Sequence, residues 1–139
     1  MEPPCRCSKG SAMKMRIKGN SLRLRVTPSE VKRLLQHGGI REHVQLTADP
    51  EDRLTYAVKS SLSGATTTVA YQSGNITVSV PEIQLRTWAG SDDVGLYVEL
   101  PLSDGHALSV AIEKDFACLD RNDAENEDTF PNPNLAAAR

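Results

Sequence analysis

The sequence has few of the residue types and motifs that identify enzymes, metal sites or membrane spans. Only 4% of its 139 residues are aromatic, and its 3 cysteines are too few for a disulfide framework. No apolar run approaches the roughly 18 residues that span a bilayer, and the first residues contain no signal-peptide core. A Gly-rich phosphate loop, a G-x-S-x-G elbow and an E-x-E-x-K signature are all absent. We therefore expect a cytoplasmic protein that does not contact membranes, and we favour a non-enzymatic one.

Metal and cofactor binding are not predicted. Cys5 and Cys7 form a C-x-C pair in a segment without apolar periodicity, and this spacing is poor for zinc. The three histidines, His37, His43 and His106, are scattered along the chain.

One enzymatic hypothesis remains open at the end of the last predicted strand. Alternation places Glu113 and Asp115 on one face and Lys114 on the other, which is typical of a solvated strand end. Acid–base chemistry would need a pocket that gathers Glu113, Asp115 and Cys118 with a histidine. Cys118 is more simply interpreted as a small buried residue.

Charge is distributed unequally along the chain, although the formal net charge is only −2. Residues 1–36 contain nine of the 16 Lys and Arg residues but only two of the 18 Asp and Glu residues. Such an imbalance indicates a polyanionic partner or an acidic tail.

Composition divides the chain into three parts. Residues 1–12 are rich in Pro, Ser and Gly and predict a disordered extension, whereas residues 120–139 are acidic and predict an irregular tail. Residues 13–119 show regular apolar periodicity and predict a single domain.

Within this domain, period-two alternation predicts strands and a single strong signal predicts a helix. Thr27 as N-cap, Pro28 at the first helical position and Glu30 three residues after the cap form a capping box, and Gly38 ends the helix. Two short strands over about residues 14–26 precede it. Further strands are expected at about 40–47, 53–60, 67–72, 75–80, 93–100 and 107–114, with a second short helix at about 82–89.

The order strand–strand–helix–strand–strand occurs twice, over about residues 13–60 and 67–114. A shift of 54 residues aligns the apolar positions without a gap, so that Leu22 matches Ile76 and Leu34 matches Trp88. Unrelated amphipathic segments can also agree in part, but the length of the agreement favours duplication. The predicted fold is mainly β (α+β), an antiparallel barrel-like sheet from two pseudo-symmetric ββαββ halves with two short helices.

The first predicted hairpin carries an unusual row of basic residues. A two-residue turn at Gly19-Asn20 places Arg16 opposite Arg23 and Lys14 opposite Arg25, and like charges in such positions destabilise a sheet. In the second half the matching positions are neutral and small. These matching positions are Thr68, Ala70, Thr77 and Ser79.

Three interpretations of this basic face remain open. It is a solvated face without a partner, it contacts nucleic acid or another polyanion, or it pairs with the acidic tail, an acidic strand or a protein partner. Scarce aromatics disfavour a platform for single strands, whereas an antiparallel ribbon can enter the major groove of a duplex. The predicted polyanion-binding residues are Lys14, Arg16, Lys18, Arg23, Arg25, Lys32 and Arg33.

The segment "GNSLRLRVTPSEVKRLL" resembles the swapped-hairpin DNA-binding domains of the AbrB and MazE families. Gly19-Asn20-Ser21, Val26, Pro28 and Val31 carry the resemblance, and "NITVSVPEIQLRTWAG" resembles a related segment of the same domains. In those families two chains intertwine into one barrel. The resemblance implies that both halves lie in one chain here, and that DNA is a possible partner.

A second resemblance covers nearly the whole domain. Arg16 to Val31, Ile112 to Asp120 and Phe130 to Pro133 resemble a small bacterial family known only as a domain of unknown function. This resemblance implies a bacterial source and a shared fold. It implies no activity, cofactor or site.

Overall fold

Residues 13–115 and residue 130 are described by the structure, a computed structural model, and they form eight strands and two α-helices. The strands are β1 (Lys14–Ile17), β2 (Ser21–Val26), β3 (Gly39–Gln45), β4 (Arg53–Ser61), β5 (Thr68–Gln72), β6 (Asn75–Pro81), β7 (Gly95–Pro101) and β8 (Ala107–Lys114). The helices are α1 (Pro28–His37) and α2 (Glu82–Ala89). The prediction of a mainly β protein with two short helices is confirmed. The predicted N-terminal extension lies outside the described residues, as does the acidic tail apart from Phe130.

The strands lie in two four-stranded sheets. The first sheet has the order β1-β2-β8-β7 and the second has the order β3-β4-β6-β5. In each sheet the two central strands are parallel and each edge strand is antiparallel to its neighbour. The described strands do not close into a barrel, so the barrel-like part of the fold prediction is not confirmed. No helix formed by these residues is long and apolar enough to cross a membrane.

The first sheet combines the first two strands of the domain with the last two. The hairpin β1–β2 pairs with β8, so that Ser21 lies opposite Ser109 and Arg25 lies opposite Glu113. Residues almost ninety positions apart in the sequence therefore share one surface. Local pattern alone does not predict this neighbour, because a strand can accept a partner from anywhere in the chain.

The first helix begins and ends as its sequence predicts. The Thr27 Oγ1 accepts a hydrogen bond from the Glu30 N–H, and the Glu30 carboxylate accepts one from the Thr27 N–H at 3.0 Å. Pro28 occupies the first helical position, and Gly38 ends the helix in the left-handed region with φ 84°. The helix begins and ends at these residues because they satisfy N–H and C=O groups that have no partner within the helix.

One hydrophobic core joins both sheets and both helices. Trp88 of α2 is 2% exposed, and Leu34 of α1 is fully buried. Full burial of such a side chain contributes about 1.5–3 kcal/mol. The remaining buried apolar residues are Met13, Leu24, Val26, Val31, Ile40, Val58, Val78, Val80, Leu85, Val110 and Ile112.

The registers of the two parallel pairs correspond. In the first sheet Ser21 lies opposite Ser109, and in the second Asn75 lies opposite Thr55. Each residue of one pair is thus 54 positions from a residue of the other.

The antiparallel pairs that include β3 and β7 do not keep the same spacing. Ile40 lies opposite Val58, but Leu96 rather than Val94 lies opposite Ile112. The predicted gapless alignment is therefore wrong at β7. The connection before β7 is longer than the one before β3 by four residues, and α2 is shorter than α1 by two, so β7 is displaced by two residues. The connection after β7 is shorter than the one after β3 by two residues.

The interpretation of Glu113, Lys114 and Asp115 as a solvated strand end is also wrong. Their exposed fractions are only 9%, 5% and 5%. The Lys114 Nζ donates a hydrogen bond of 2.6 Å to the Ser91 carbonyl and lies 5.5 Å from the centroid of the Phe130 ring. The Phe130 N–H in turn donates a hydrogen bond of 2.8 Å to the Asp115 carbonyl. Phe130, fifteen residues later in the chain than Asp115, therefore packs against this strand end, which local alternation does not predict.

Candidate functional site

The predicted basic residues of the first hairpin lie on the outer face of the first sheet, on the side away from the core. Arg16 lies opposite Arg23 and Lys14 opposite Arg25, as the turn at Gly19-Asn20 predicts. Leu24, between the two arginines of β2, is 1% exposed and points to the other face. The hairpin thus brings these four cations together on one surface, with Lys18 beside the turn.

A carboxylate from β8 stands next to the two arginines of β2. The Glu113 Oε1 lies 3.5 Å from the Arg23 Nε and 3.6 Å from the Arg25 Nε. The Glu113 side chain is 11% exposed, whereas those of Arg23 and Arg25 are 43% and 47% exposed. Both ion pairs use the Nε atoms, so they leave the terminal guanidinium nitrogens available as hydrogen-bond donors.

The same carboxylate is held from its other side by β7. The Tyr97 hydroxyl donates a hydrogen bond of 2.9 Å to the Glu113 Oε2. Partial burial raises the pKa of the Tyr97 phenol, and the hydrogen bond and negative charge of Glu113 raise it further. Glu113 therefore orients the two arginines while Tyr97 fixes Glu113.

A second ion pair fixes the start of β1. The Lys14 Nζ lies 3.3 Å from the Asp115 Oδ2, and the two side chains are 29% and 6% exposed. The Asp115 N–H also donates a hydrogen bond of 2.8 Å to the Val26 carbonyl. Three of the five hairpin cations, Lys14, Arg23 and Arg25, thus pair with acidic residues of the folded body. Whether the acidic tail also contributes lies outside the described residues.

Two of the hairpin cations keep an uncompensated charge. Arg16 and Lys18 are exposed and make no ion pair with any residue that the structure describes. The outer face of the first sheet therefore remains basic after its internal pairs have formed.

The two basic residues predicted on α1 are placed differently. Lys32 is exposed, and the Arg33 Nη2 lies 3.7 Å from the buried Glu30 carboxylate. Helix α1 packs on β3, β4 and α2 rather than on the outer face of the first sheet. The structure therefore does not join Lys32 and Arg33 to the hairpin cations.

The residues of the enzymatic hypothesis have structural partners. Glu113 pairs with arginines and Asp115 pairs with Lys14. Cys118, like Cys5 and Cys7, lies outside the described residues. Within residues 13–115 and Phe130, no three or more His, Cys, Asp and Glu side chains are grouped as metal ligands would be.

Sequence reasoning missed the outer face of the second sheet. On this face Arg41 of β3 and Lys59 of β4 are exposed and form no ion pair with described residues. None of the sixteen strand positions that make up this face carries a carboxylate. The sixteen residues are Gly39, Arg41, His43, Gln45, Arg53, Thr55, Ala57, Lys59, Ser61, Thr68, Ala70, Gln72, Asn75, Thr77, Ser79 and Pro81.

A sequence signal for this face existed, but it was weaker than that of the first hairpin. Alternation within "GIREHVQ" and "RLTYAVK" places Arg41 and Lys59 away from the core. Only the strand pairing shows that acidic Glu113 joins the first basic face and that no acid joins the second.

Comparison with known proteins gives a family but no activity. No curated protein matches the chain, and no solved structure matches it. Residues 13–134 match DUF7009, a family of unknown function. The matched range spans the described fold, both ends of the first sheet and Phe130. The chain therefore belongs to the family of unknown function DUF7009.

Proposed function

We propose that this protein is a binding module that contacts a polyanion through the outer face of its first sheet. The phosphate backbone of a nucleic-acid duplex is the partner that this face fits best. The proposal includes Lys14, Arg16, Lys18, Arg23 and Arg25, but no longer Lys32 and Arg33.

The observation that carries the proposal is the excess of positive charge that remains on this face. Five hairpin cations stand against three carboxylates of this face, those of Glu99, Glu113 and Asp115. Arg16 and Lys18 have no acidic partner within the described part of the chain. Lysine and arginine neutralise DNA phosphates and release condensed counterions, which supplies much of the free energy of binding.

The ion pairs of Arg23 and Arg25 are compatible with this role. Each arginine contacts Glu113 through Nε, and its terminal nitrogens remain available as hydrogen-bond donors. A guanidinium held in this way loses less side-chain entropy when it binds a phosphate. Glu113 is therefore a positioning residue in the proposal.

The strand arrangement supports a duplex rather than a single strand. A two-stranded antiparallel ribbon fits the major groove, and β1 is an edge strand of the first sheet. Aromatic residues for base stacking are scarce in the sequence. The proposal includes a bacterial source and a cytoplasmic location, where the protein would meet duplex DNA directly.

The proposal also keeps the predicted relationship between the two halves. Each sheet combines a hairpin from one half with a hairpin from the other, and the two strand orders correspond when the halves are exchanged. This correspondence supports a pseudo-twofold, swapped-hairpin architecture of the AbrB type. The two-residue shift at β7 is compatible with later divergence of the halves.

Binding to duplex DNA tests the proposed function. The double charge reversal Arg16→Glu/Lys18→Glu removes cations that form no ion pair with the described residues, so the fold should persist. We expect at least about a tenfold loss of affinity, since each lost phosphate contact weakens binding. The matched control is Arg41→Glu/Lys59→Glu, which makes the same charge change on the second sheet and should leave duplex affinity much higher.

A second candidate function is a protein-interaction domain with an internally paired hairpin. The pairs of Lys14 with Asp115 and of Glu113 with both β2 arginines favour it. In that case neutral amides at Asp120, Asp123, Glu125, Glu127 and Asp128, with Phe130 kept, should raise affinity for any polyanion if the tail covers the hairpin. If neither the wild type nor this variant binds a duplex even at low salt, the duplex-binding proposal is rejected and the protein-interaction function is retained.

A further inference from the structure

The outer face of the second sheet carries a shallow depression with a cation on two sides. Its volume is about 500 Å³, within the usual range for small-molecule sites. Gly39 and Ala57 line its floor, and their small size leaves the sheet surface open between the longer side chains.

Arg41 and Lys59 flank this floor. Arg41 lies opposite Ala57 and Lys59 lies opposite Gly39, so the two cations are diagonal neighbours on adjacent antiparallel strands. Such neighbours have Cα atoms about 7–8 Å apart, which lets two long side chains converge on one group between them.

Among the described residues, neither cation has a counterion on its own surface. The position of Lys59 in the second sheet corresponds to that of Glu113 in the first, where the charge is opposite. Around Lys59 stand Ser79 and Thr77 instead of the arginines of β2. The acidic residues of the β3–β4 connection lie beyond Gln45 and Arg53, past the end of the ladder.

Neutral hydrogen-bond donors complete the lining. Thr55 of β4 and Thr77 of β6 border the depression with hydroxyl groups. Asn75 also lines it, but its Nδ2 donates to the Gln72 and Ser73 carbonyls at 3.1 and 3.3 Å. Hydroxyl groups next to a guanidinium and an ammonium are common ligands of a phosphoryl group.

We propose that this depression binds the phosphoryl group of a small phosphorylated molecule. Arg41 donates from its planar guanidinium, Lys59 supplies a point charge, and the donors of β4 and β6 contact the remaining phosphoryl oxygens. The depression is larger than a phosphate ion needs, so it leaves room for the organic part of a phosphate monoester. This site does not rest on the proposed duplex-binding function, since it lies on the other sheet.

Nuclear magnetic resonance of the ¹⁵N-labelled full-length protein tests the site. Inorganic phosphate and ribose 5-phosphate are titrated separately, with chloride at matched ionic strength as the blank. We expect amide shifts that cluster at Gly39, Arg41, Ala57, Lys59 and Thr77. Tighter binding of ribose 5-phosphate identifies a phosphate monoester as the ligand class, whereas equal affinity for both probes identifies the phosphoryl group alone and overturns the monoester assignment.

Matched variants distinguish this site from general anion attraction. Arg41→Gln and Lys59→Gln should each weaken phosphate binding about tenfold, since each removes a charge-assisted contact. Both residues are exposed, and the dispersion of the amide spectrum reports whether each variant is folded. The control Arg16→Gln/Lys18→Gln should leave phosphate affinity unchanged.

Three results would overturn the proposal: shifts absent at millimolar phosphate, shifts spread over both sheets, or unchanged affinity in the two Gln variants. The outcome is separate from that of the duplex experiment. If the protein binds phosphate but no duplex, the phosphoryl site is supported and the proposed duplex-binding function is rejected. If it binds a duplex but no phosphate, only the phosphoryl site is rejected.

Discussion

Gly95 lies directly opposite Glu113 in the β7–β8 ladder, and a Cβ atom at residue 95 would stand 2.9 Å from the Glu113 Cγ. It would also stand 2.7 Å from the Ile112 carbonyl oxygen and 3.1 Å from the Tyr97 hydroxyl. The absence of a side chain at residue 95 is therefore what lets Glu113 lie across the sheet and reach both Tyr97 and the arginines of β2.

Gly95→Ala should therefore destabilise the protein by about 1–3 kcal/mol, the usual cost of overpacking. The added methyl group meets backbone at residue 112, which cannot move aside as a flexible side chain can. Urea denaturation of the variant and the wild type measures the difference in the free energy of unfolding.

Gly39→Ala is the matched control in the second sheet. Gly39 lies opposite Lys59 as Gly95 lies opposite Glu113, but there a Cβ would meet its nearest atom at 3.5 Å. This substitution should be neutral or slightly stabilising, since alanine restricts the unfolded chain. Equal stability losses in both variants would show that close approach to Glu113 is not the cause.

Glu113→Gln should lower the pKa of the Tyr97 phenol toward its ordinary value. Partial burial will still raise this pKa, but the charge that adds to it is gone. Tyrosinate absorbance against pH measures the change, and Tyr97→Phe assigns the transition among the 3 tyrosines. Glu99→Gln, which removes a carboxylate on the same strand that does not perturb Tyr97, should leave the transition in place.

The raised Tyr97 pKa also gives a stability change at alkaline pH. Its contribution is fully present below the unfolded pKa of 10.0 and is lost as pH rises through the higher folded pKa. In Glu113→Gln this loss should be smaller. A wild-type stability curve identical to that of Tyr97→Phe above pH 10 would contradict this account.

The contribution of Glu30 to the free energy of unfolding should depend on pH in the opposite direction from that of most ion-paired acids. Burial raises its pKa above 4.5, although the hydrogen bonds from Thr27 and the charge of Arg33 act against this effect. The stabilising contribution is therefore present below the unfolded pKa of 4.5 and is lost as pH rises through the folded pKa.

Glu30→Gln should remove this dependence while it keeps an oxygen that can accept from the Thr27 N–H. The difference in the free energy of unfolding between wild type and variant, measured by urea denaturation across the acidic range, should shift toward the variant as pH rises. A difference that does not change with pH would mean that Glu30 titrates normally in the folded protein.

A double-mutant cycle on Lys14 and Asp115 should show coupling of about 1–2 kcal/mol. Asp115 is nearly buried, so Lys14→Met alone leaves its carboxylate without its ion-pair partner and should cost more than Asp115→Asn/Lys14→Met together. Thermal and urea denaturation of the four proteins completes the cycle. Additive effects of the two substitutions would show that the ion pair contributes nothing to stability.

Local features of the sequence predict local structure well in this protein. The turn at Gly19-Asn20 fixes the hairpin register, and in this register period-two alternation places the apolar residues of β1 and β2 on one shared face. Thr27, Glu30 and Gly38 predict α1 because they satisfy backbone groups within a few residues of each other.

The candidate site could be predicted only in part, since it depends on which strands become neighbours. The sequence identifies the cations of β1 and β2, but not that β8 would bring Glu113 beside Arg23 and Arg25. For the same reason the sequence overstates the difference in positive charge between the outer faces of the two sheets. The first face is partly neutralised after folding, whereas the less basic second face has no carboxylate at its strand positions.

The salt dependence of binding to duplex DNA shows directly whether the outer face of the first sheet contacts phosphates. Log K for the wild type should fall linearly with log salt concentration. Arg16→Gln/Lys18→Gln should reduce the magnitude of the slope by about 1.8 because two phosphate contacts are lost. Arg41→Gln/Lys59→Gln should keep the wild-type slope. A slope near zero for the wild type, or one that Arg16→Gln/Lys18→Gln leaves unchanged, would contradict the account.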